Sequence, residues 1–331
     1  MLAETVSRLF NINNEVAFNV ALNTVFQFQY TNNAIYRQWC NLNGVNESQL
    51  VTVATIPYLP ISFFKTYAVV STTFNAQQIF ESSGTTGTIN SKHYVKDIAV
   101  YQQSFNTAFK QFYGNATDYC VIGLLPSYLE RNNSSLVFMV NELIEQSKHP
   151  SSGFYLNEFK KLKYLLLGLE LSKQKTLLLG VTFALLDFAE QFPMPLYNTT
   201  IMETGGMKGR REEMTRAQVH EVLCKAFQKE TIHSEYGMTE LLSQAYSKGN
   251  GLFNCPPWMK VLIREEDDPF AIHKANSKIT TGAINVIDLA NIWSCSFIAT
   301  EDAGKIFADE SFEVQGRVDN SDVRGCNLLI S

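Results

Sequence analysis

The stretch KTLLLGVTFALLDFAEQF, residues 175–192, begins as an apolar run and continues with apolar residues at helical spacing. A short apolar run of this kind is typical of a strand that is buried on both faces in a parallel sheet. The same order of strand and helix occurs where YCVIGLLPS, residues 119–127, precedes SSLVFMVNELIEQSK, residues 134–148. Alternating strands and helices predict an α/β fold, in which helices flank a mainly parallel sheet.

The pattern of the sequence divides the chain into three predicted regions. Residues 1–54 carry apolar residues at helical spacing, which predicts a helical N-terminal segment. Residues 55–250 contain the alternating strands and helices of an α/β core. Residues 251–331 change to short strands joined by turns, which predicts a β-rich terminal section. Capping patterns mark two helix starts, an N-cap at Asp97 and a capping box of Thr215 and Gln218.

Composition and charge indicate a globular protein and exclude several other classes. The 331 residues are 45% hydrophobic and 18% charged. A net charge of -5 argues against a broad basic face for nucleic acid. No apolar run approaches the roughly 20 residues of a membrane span, and the N-terminus lacks the pattern of a signal peptide. We therefore expect a cytoplasmic protein without an integral membrane segment.

Six cysteines are scattered along the chain without a CxxC pair: Cys40, Cys120, Cys224, Cys255, Cys295 and Cys326. This spacing argues against a zinc site or a disulfide framework and favours reduced thiols. The first five lie in apolar sequence and are predicted to be small buried residues. Cys326 lies in a different setting, close to the C-terminus.

A loop rich in glycine and hydroxyl groups occurs in ESSGTTGTINSKHYVKD, residues 81–97. Gly84 and Gly87 allow the backbone to approach an anion closely, so that successive N–H groups can surround it. Four side chains add hydroxyl donors: Ser82, Ser83, Thr85 and Thr86. The loop does not match the Walker pattern GxxxxGK[ST], and an ordinary turn is the alternative for such a sequence taken alone.

Two later stretches supply groups that suit a nucleotide. METGGMKG, residues 202–209, places two glycines together as a flat backbone surface for a planar ring. HSEYGMTE, residues 233–240, offers an aromatic ring, a hydroxyl and a carboxylate in Tyr236, Thr239 and Glu240. An aromatic ring can stack on a base, and carboxylate oxygens suit Mg²⁺.

Asp302 and Arg317, near the end of the chain, add a carboxylate and a guanidinium. A carboxylate can accept both ribose hydroxyls, and a guanidinium can reach the sugar or a phosphate. Each of these stretches alone has a simpler interpretation as a turn, a helix N-terminus or a hairpin with a charged tip. Their presence in one chain, in this order, favours a nucleotide site.

These motifs together resemble those of the adenylate-forming enzymes, which include acyl-CoA synthetases, firefly luciferase and nonribosomal adenylation domains. The resemblance rests on four motifs: SSGTTG at 82–87, YGMTE at 236–240, TED at 300–302 and GRVD at 316–319. Further stretches resemble the acyl-protein synthetases of bacterial bioluminescence (long-chain-fatty-acid luciferin-component ligases), with phenylacetate-CoA ligases more distant: PISFFK, SKHY, GGMKGRREE and VRGCNLL. The likeness covers roughly residues 55–331 and implies the large N-terminal domain of the adenylate-forming fold.

The resemblance implies which residues would contact the phosphates and the adenine of ATP. The β- and γ-phosphates would lie in the loop formed by Ser82, Ser83, Gly84, Thr85, Thr86 and Gly87. Gly205 and Gly206 would line the adenine slot. The base would stack on Tyr236, which Gly237 follows directly.

Four further residues receive roles from the same resemblance. Thr239 would contact the α-phosphate, and Glu240 would bind Mg²⁺. Asp302 would bind the ribose hydroxyls with the assistance of Arg317. The expected cofactors are therefore ATP and Mg²⁺.

The end of the chain departs from the larger members of the family, which carry a C-terminal lid with a lysine that contacts the reacting groups. The sequence ends roughly a dozen residues after GRVD, so we expect most of the lid to be missing. Either Lys92 or Arg324 would supply the positive charge, or adenylation would be slower. Cys326 stands where the acyl-protein synthetases carry a cysteine that accepts the acyl group as a thioester, and Arg324 would favour its thiolate. A structural cysteine in a last β-strand is the alternative.

Other polar residues have competing interpretations. His93 and Asp97 have the HxxxD spacing that some acyltransferases use for general-base catalysis, although helix capping by Asp97 is favoured. His233 either borders the acyl or nucleotide site or is a core histidine with satisfied hydrogen bonds. The charged stretch REEDD, residues 264–268, is predicted to be a solvated turn.

The sequence thus predicts a ligase that uses ATP and Mg²⁺ to activate a carboxylic acid, expected to be a fatty acid, as its adenylate. The acyl group would pass to Cys326 and then to an acyl-accepting or acyl-reducing partner protein or a small acceptor. The alternatives are a coenzyme A ligase or an acyltransferase for surface polysaccharide or lipid synthesis, and a nucleotide-binding module without catalysis. Each requires the loop at 82–87 and the cluster near residue 240 to meet at one nucleotide.

Overall fold

The computed structural model describes residues 2–83, 89–126, 131–205, 214–265, 268, 270–273 and 279–318. These residues form one large mixed sheet with helices packed against it, and a separate two-stranded hairpin. The α/β architecture confirms the predicted fold class. Among the helices of the described ranges, none combines the length and the apolar character that a bilayer span requires.

The helices of the described residues are α1 Leu2–Arg8, α2 Glu15–Asn32, α3 Ala34–Leu42, α4 Phe63–Thr66, α5 Ile98–Tyr113, α6 Ser135–Ser147, α7 Phe159–Leu171, α8 Thr182–Gln191 and α9 Arg216–Phe227. Asp97 caps α5, because its carboxylate accepts a 3.0 Å hydrogen bond from the amide of Ala99. Thr215 and Gln218 form the capping box at the start of α9. Both capping predictions are confirmed.

The parallel half of the sheet contains β4 Cys120–Leu124, β5 Gly153–Phe154, β6 Thr176–Val181, β7 Thr199–Thr204 and β8 His233–Tyr236. The spatial order is β5-β4-β6-β7-β8, and all neighbours in it run parallel. Every residue of β4 and β6 is buried, as expected for strands that are covered by helices on both faces.

The antiparallel half contains β9 Ala245–Ser247, β10 Phe253–Asn254, β11 Met259–Arg264, β12 Ile272–His273, β13 Thr280–Asp288, β14 Phe297–Ile306 and β15 Phe312–Arg317. From β8 the sheet continues in the order β9-β10-β15-β14-β13-β11-β12. The short strand β1, Leu59–Pro60, pairs with β14 in parallel. A second sheet is the hairpin of β2, Gln78–Glu81, and β3, Lys92–Val95.

The carboxyl ends of the parallel strands gather the predicted site residues. Val181 at the end of β6 pairs with Thr204 at the end of β7, which pairs in turn with Glu235 in β8. Gly205 and Gly237 directly follow these strand ends. Ligands of open α/β sheets bind beyond this edge, so the topology gives the candidate site its place.

The N-terminal helices are fastened to the β-rich section by a buried glutamine. Nε2 of Gln29 in α2 donates to the carbonyls of Asn291 and Ile292, at 3.0 and 2.9 Å. These carbonyls lie in the connection between β13 and β14. The predicted helical segment therefore packs on the β-rich section at the β13–β14 connection. The boundaries of the three predicted regions stay predictions.

The prediction for the five cysteines is confirmed for Cys40, Cys120 and Cys295, which are buried free thiols. Cys224 and Cys255 are free but only partly buried. The buried face of α9 consists of Val219, Leu223 and Phe227. Cys224 follows Leu223 directly and is therefore turned off that face by the helical period of 3.6 residues.

The predicted solvated turn at 264–268 is wrong for Arg264. The strand β11 continues through this residue, and its guanidinium donates to the carbonyls of Ile284 and Thr300 at 2.8 and 2.7 Å. The arginine therefore has backbone partners on neighbouring strands. A run of consecutive charged residues in the sequence does not reveal such partners.

Candidate functional site

The two segments that were expected to meet at a nucleotide lie together. Nδ1 of His93, in the strand that follows the glycine-rich loop, donates to the carbonyl of Thr239 at 2.8 Å. The side chain of Ser91, just before that strand, lies close enough to the Glu240 carboxyl to lower its pKa. The residues that flank the loop therefore contact the turn after β8 directly, across 146 residues of sequence between His93 and Thr239.

Ser82 holds the two ends of the glycine-rich loop together. The amide of Ser82 donates to the carbonyl of Ser91 at 3.1 Å, and the amide of Ser91 donates back to Oγ of Ser82 at 2.9 Å. Ser83 is exposed at the start of the loop. The remaining predicted phosphate contacts lie outside the described residues: Gly84, Thr85, Thr86 and Gly87.

Glu240 is a buried carboxyl group with other carboxylates close by. Only 5% of the residue is exposed. Burial raises the pKa of Glu240, the charges of Asp302 and Glu301 raise it further, and the hydrogen bond of Ser91 lowers it. A divalent cation would relieve this repulsion, so the group has the chemistry of a metal ligand.

A magnesium ion bound with a nucleotide does not need a full set of protein ligands. Within the ranges that the structure describes, no three His, Cys, Asp or Glu side chains converge to hold a metal ion. Mg²⁺ is usually bound by one or two carboxylates, with waters and substrate phosphates as its other ligands. Glu240, beside the ends of the glycine-rich loop, fits that arrangement.

Tyr236 and Asp302, the predicted contacts of the nucleoside, are bonded to each other. The phenolic hydroxyl donates to Oδ2 of Asp302 at 2.8 Å. The tyrosine ring packs edge-on against Phe253 and Phe312 and is 7% exposed. Burial raises the pKa of Asp302, while the Tyr236 hydrogen bond and the Arg317 charge lower it.

Arg317 lies on the neighbouring strand, directly opposite Asp302 in the pairing of β14 with β15. Its side chain is 65% exposed, and Nη1 lies 3.8 Å from Oε2 of Glu301. The guanidinium thus lies close to the carboxylate of Glu301, on the strand that carries Asp302, and is open to solvent. This position suits the assisting role predicted for Arg317.

The two described glycines that follow the strand ends differ in the space around them. Gly205 has φ of 72°, and a Cβ atom at this position would meet no other atom of the described residues within 4 Å. Its carbonyl accepts a 2.9 Å hydrogen bond from Thr182. At Gly237 a Cβ atom would lie 2.5 Å from Oε1 of Glu235, so a larger residue would displace that carboxyl group. Gly206 lies outside the described residues.

A family model described as "Acyl-protein synthetase, LuxE" matches residues 8–331. The chain belongs to this family. The match extends over the α/β half, the β-rich half and most of the N-terminal helices. A comparison with curated protein sequences gives no match.

Solved structures of adenylate-forming ligases share the fold of this LuxE-family chain. ATP-bound MatB from Rhodopseudomonas palustris is 14% identical, with a TM-score of 0.54 over 83% of this chain and 51% of MatB. A 2-hydroxyisobutyryl-CoA ligase with a bound acyl-AMP (R3-HIB-AMP), in the postadenylation state, is 11% identical, with a TM-score of 0.68 over 92% of this chain and 68% of the ligase. The chain therefore spans about half the length of MatB. These likenesses confirm the adenylate-forming fold.

Sequence reasoning missed a buried ionic group beside the site of this LuxE-family protein. Nε of Arg216 donates to Oε1 of Glu203 at 3.0 Å, and Nη1 donates to the carbonyl of Val314 at 2.7 Å. Burial raises the pKa of Glu203, but the hydrogen bond of His220 and the charge of Arg216 outweigh it and hold the pKa below its usual value. The guanidinium also lies 5.0 Å from the ring centre of Phe253. Arg216 thus joins the α/β half to β15.

A second missed residue is Glu235, which precedes the predicted stacking residue Tyr236. It is 7% exposed, and one carboxyl oxygen accepts a hydrogen bond from the hydroxyl of Thr204. Burial raises the pKa of Glu235 to about 7, and the charge of Glu203 contributes, while the Thr204 hydrogen bond lowers it. The only signal for Glu235 in the sequence was a carboxyl group placed directly before the predicted stacking residue.

The HxxxD interpretation of His93 and Asp97 is wrong. His93 is 1% exposed, with Nδ1 at Thr239 and Nε2 2.9 Å from Oδ1 of Asn291, whereas the Asp97 carboxylate caps α5. Burial lowers the pKa of His93 to about 4, against the two hydrogen bonds that raise it. The histidine therefore faces no catalytic carboxylate among these partners.

The remaining predicted residues have these positions. Nδ1 of His233 lies 3.2 Å from the hydroxyl of Tyr113, which agrees with the core interpretation. Nζ of Lys92 lies 3.5 Å from Oε1 of Glu81 on the paired strand. Arg324 and Cys326 lie outside the described residues.

Proposed function

We propose that this protein activates a carboxylic acid with ATP and Mg²⁺ to give an acyl-adenylate. One observation carries the proposal: Ser91 and His93, which flank the hydroxyl-rich loop, contact Glu240 and Thr239. This contact supports a single common position for the triphosphate and its metal. Family membership and the fold shared with adenylate-forming ligases support the same reaction class.

The proposed nucleotide site uses residues from both halves of the sheet. The loop that begins at Ser82 would hold the β- and γ-phosphates through backbone N–H groups and hydroxyls. Thr239 would contact the α-phosphate, and Glu240 would bind Mg²⁺ that is shared with phosphate oxygens. The nucleoside would lie across Gly205, Tyr236 and Asp302.

In the first step, a carboxylate oxygen of the acid bonds to the α-phosphorus, and the bond from that phosphorus to the bridging oxygen of pyrophosphate breaks. The acid and the phosphate are both anionic, so the protein must align them and offset their repulsion. Mg²⁺ supplies positive charge when it is bound. The N–H and hydroxyl groups of the loop and Thr239 orient the phosphates, and either Lys92 or Arg324 adds a cation near the reacting groups.

In the second step, we propose that the thiolate of Cys326 attacks the acyl carbonyl and AMP leaves. The product is a thioester, from which the acyl group passes to an acyl-accepting or acyl-reducing partner protein. Membership of the acyl-protein synthetase family favours this acceptor. A fatty acid is the proposed substrate, and the supply of ATP fits a cytoplasmic location.

A coenzyme A ligase is the second candidate. The observation that favours it is the likeness to a 2-hydroxyisobutyryl-CoA ligase solved with 2-HIB-AMP and CoA, at a TM-score of 0.65 over 92% of this chain. In that case the acyl group would pass from AMP to the thiol of coenzyme A, and Cys326 would take no part.

The test is acid-dependent exchange of labelled pyrophosphate into ATP, over a panel of fatty and aromatic carboxylates. We expect exchange with at least one class of acid, and no exchange with any acid would overturn the proposal in favour of a nucleotide-binding module. Intact-mass analysis then identifies the acceptor. An acyl adduct that Cys326→Ser abolishes supports the thioester, whereas acyl-CoA formation that survives this substitution supports the second candidate.

A further inference from the structure

Two buried side chains hold the backbone of the turn that contains the proposed phosphate and metal residues. Nδ1 of His93 donates to the carbonyl of Thr239 at 2.8 Å. Nδ2 of Asn291 donates to the next carbonyl, that of Glu240, at 2.7 Å. The two side chains contact each other, with 2.9 Å between Nε2 of the histidine and Oδ1 of the asparagine. We call them the His93–Asn291 pair.

The orientation of the asparagine is fixed by its partners. Its Nδ2 also donates to the carbonyl of Cys295 at 2.9 Å, so both neighbours of this nitrogen are carbonyl oxygens that only accept. The opposite orientation would place Oδ1 against both carbonyls. The amide oxygen therefore faces His93, and each member of the pair reaches one of two consecutive carbonyls.

The pair is anchored on elements that do not belong to the turn. His93 is the second residue of β3, at the end of the strand that the glycine-rich loop enters, and its ring packs edge-on against Phe64. The amide of Asn291 donates to the carbonyl of Asp288 at 3.0 Å, and its carbonyl accepts from Gln29 at 3.0 Å. His93 and Asn291 are 1% and 0% exposed. The pair thus connects the loop strand, the turn and the β13–β14 connection through rigid, buried groups.

A second set of bonds, from the last residue of β13, holds the residues that follow the turn. The carboxylate of Asp288 accepts from the amide of Leu242 at 2.7 Å and from the hydroxyl of Ser243 at 2.6 Å. The turn and the residues that follow it are therefore held by side chains of β3, of the end of β13 and of the β13–β14 connection. Among these contacts, only those of the His93–Asn291 pair involve the carbonyls of Thr239 and Glu240.

We propose that the His93–Asn291 pair positions the Thr239–Glu240 turn beside Ser91, at the described end of the glycine-rich loop, so that the loop and the metal-binding carboxyl act on one Mg²⁺–ATP. This inference rests on the proposed function and assigns the two residues as positioning residues. They do not touch the reacting atoms. Loss of the pair lowers the affinity for Mg²⁺–ATP, because the turn then adopts the required position in only part of the population.

Three variants test the inference. His93→Phe keeps a ring against Phe64 and removes both polar contacts. His93→Asn places an amide nitrogen near the position of Nδ1, so that the bond to Thr239 can form again. The matched control is Tyr36→Phe, which removes a buried 2.9 Å hydrogen bond to the carbonyl of Pro57 elsewhere in the protein.

The measurement is calorimetric binding of a non-hydrolysable ATP analogue to the full chain at a series of Mg²⁺ concentrations, with thermal unfolding of the ligand-free protein beside it. For His93→Phe we expect a loss of about tenfold in affinity at low Mg²⁺, with a smaller loss at high Mg²⁺. His93→Asn should recover most of that affinity. Tyr36→Phe should lower the unfolding temperature and leave the affinity within about twofold.

The inference is overturned if His93→Phe lowers the unfolding temperature but binds the analogue like the wild type. It is also overturned if His93→Asn binds no better than His93→Phe. If the wild type does not bind the analogue at any Mg²⁺ concentration, the proposed function fails together with the inference. A wild type that binds, with variants that bind equally well, contradicts the inference alone.

Discussion

The hydroxyl of Tyr236 donates to Oδ2 of Asp302 at 2.8 Å and thereby joins the end of β8 to β14. The two residues lie 66 positions apart in the sequence. Their contact brings together the last parallel strand and the β-rich section. The proposed nucleoside site therefore includes an intramolecular hydrogen bond that exists before any ligand binds. A substitution that deletes only the tyrosine hydroxyl oxygen removes this bond.

Tyr236→Phe is expected to weaken ATP binding by about two- to tenfold. The substitution removes the hydrogen bond that lowers the pKa of Asp302, so this buried carboxyl is less ready to accept the ribose hydroxyls as a carboxylate. ATP affinity is measured by calorimetry at pH 7. Tyr246→Phe is the control, because the buried Tyr246 hydroxyl has no hydrogen-bond partner among the described residues. Equal affinities of the two variants would contradict the assignment of Tyr236.

Glu240→Gln is expected to lower acid-dependent pyrophosphate exchange by at least about 100-fold. Glutamine keeps the size of the side chain and can still accept from Ser91, but it loses the charge that attracts Mg²⁺. Raising the Mg²⁺ concentration should restore part of the exchange. Glu313→Gln removes a more exposed carboxylate, 4.0 Å from Nζ of Lys305, and should exchange like the wild type. Exchange by Glu240→Gln at the wild-type rate would remove this residue from the metal site.

Glu235 is expected to make the folded protein less stable as the pH rises from about 5 to 7. Burial raises its pKa to about 7 in the folded state, above its ordinary value of 4.5, so the folded state binds more protons than the unfolded state in this range. The stabilisation is complete below the unfolded pKa and is lost as the pH passes the folded pKa. The loss amounts to about 3 kcal/mol.

Urea unfolding at several pH values measures this effect, with Glu235→Gln as the comparison. The glutamine still accepts from Thr204 but does not titrate, so the dependence on pH should be shallower for the variant. Parallel curves for the wild type and the variant would show that Glu235 carries no such proton.

Arg216→Met is expected to lower the free energy of unfolding by about 3 kcal/mol, because Glu203 then remains buried without its charged partner. Chemical denaturation measures the change. Arg8→Met is the matched control, since the pair of Arg8 with Glu4 lies on the surface and contributes less than about 1 kcal/mol. A variant that also carries Glu203→Gln should recover part of the lost stability. If Arg216→Met is as stable as Arg8→Met, the buried pair does not join the two halves as described.

The features that sequence predicted well are local. The apolar run and helical spacing of residues 175–192 give β6 and α8, and the capping residues Asp97 and Thr215 begin the helices expected of them. In each case the residues that determine the structure lie within a few positions of one another. Periodicity and capping are read at that range.

The features that sequence missed depend on distant partners. Arg216 reaches the carbonyl of Val314, 98 residues away, and His93 reaches Asn291, 198 residues away. Neither partner belongs to a recognisable motif, and the sequence offered no partner for His93 other than the disfavoured pairing with Asp97. The nucleotide motifs located the candidate site, whereas the buried groups that hold those motifs in place became visible only in the folded arrangement.

The central claim is that one nucleotide contacts both the glycine-rich loop and the turn at Thr239–Glu240. Hydrogen–deuterium exchange of the wild type, titrated with a non-hydrolysable ATP analogue and Mg²⁺, tests it most directly. We expect peptides from 81–97 and from 236–243 to gain protection together, with the same midpoint of analogue concentration. Protection of one peptide without the other, or two separate midpoints, would contradict the claim.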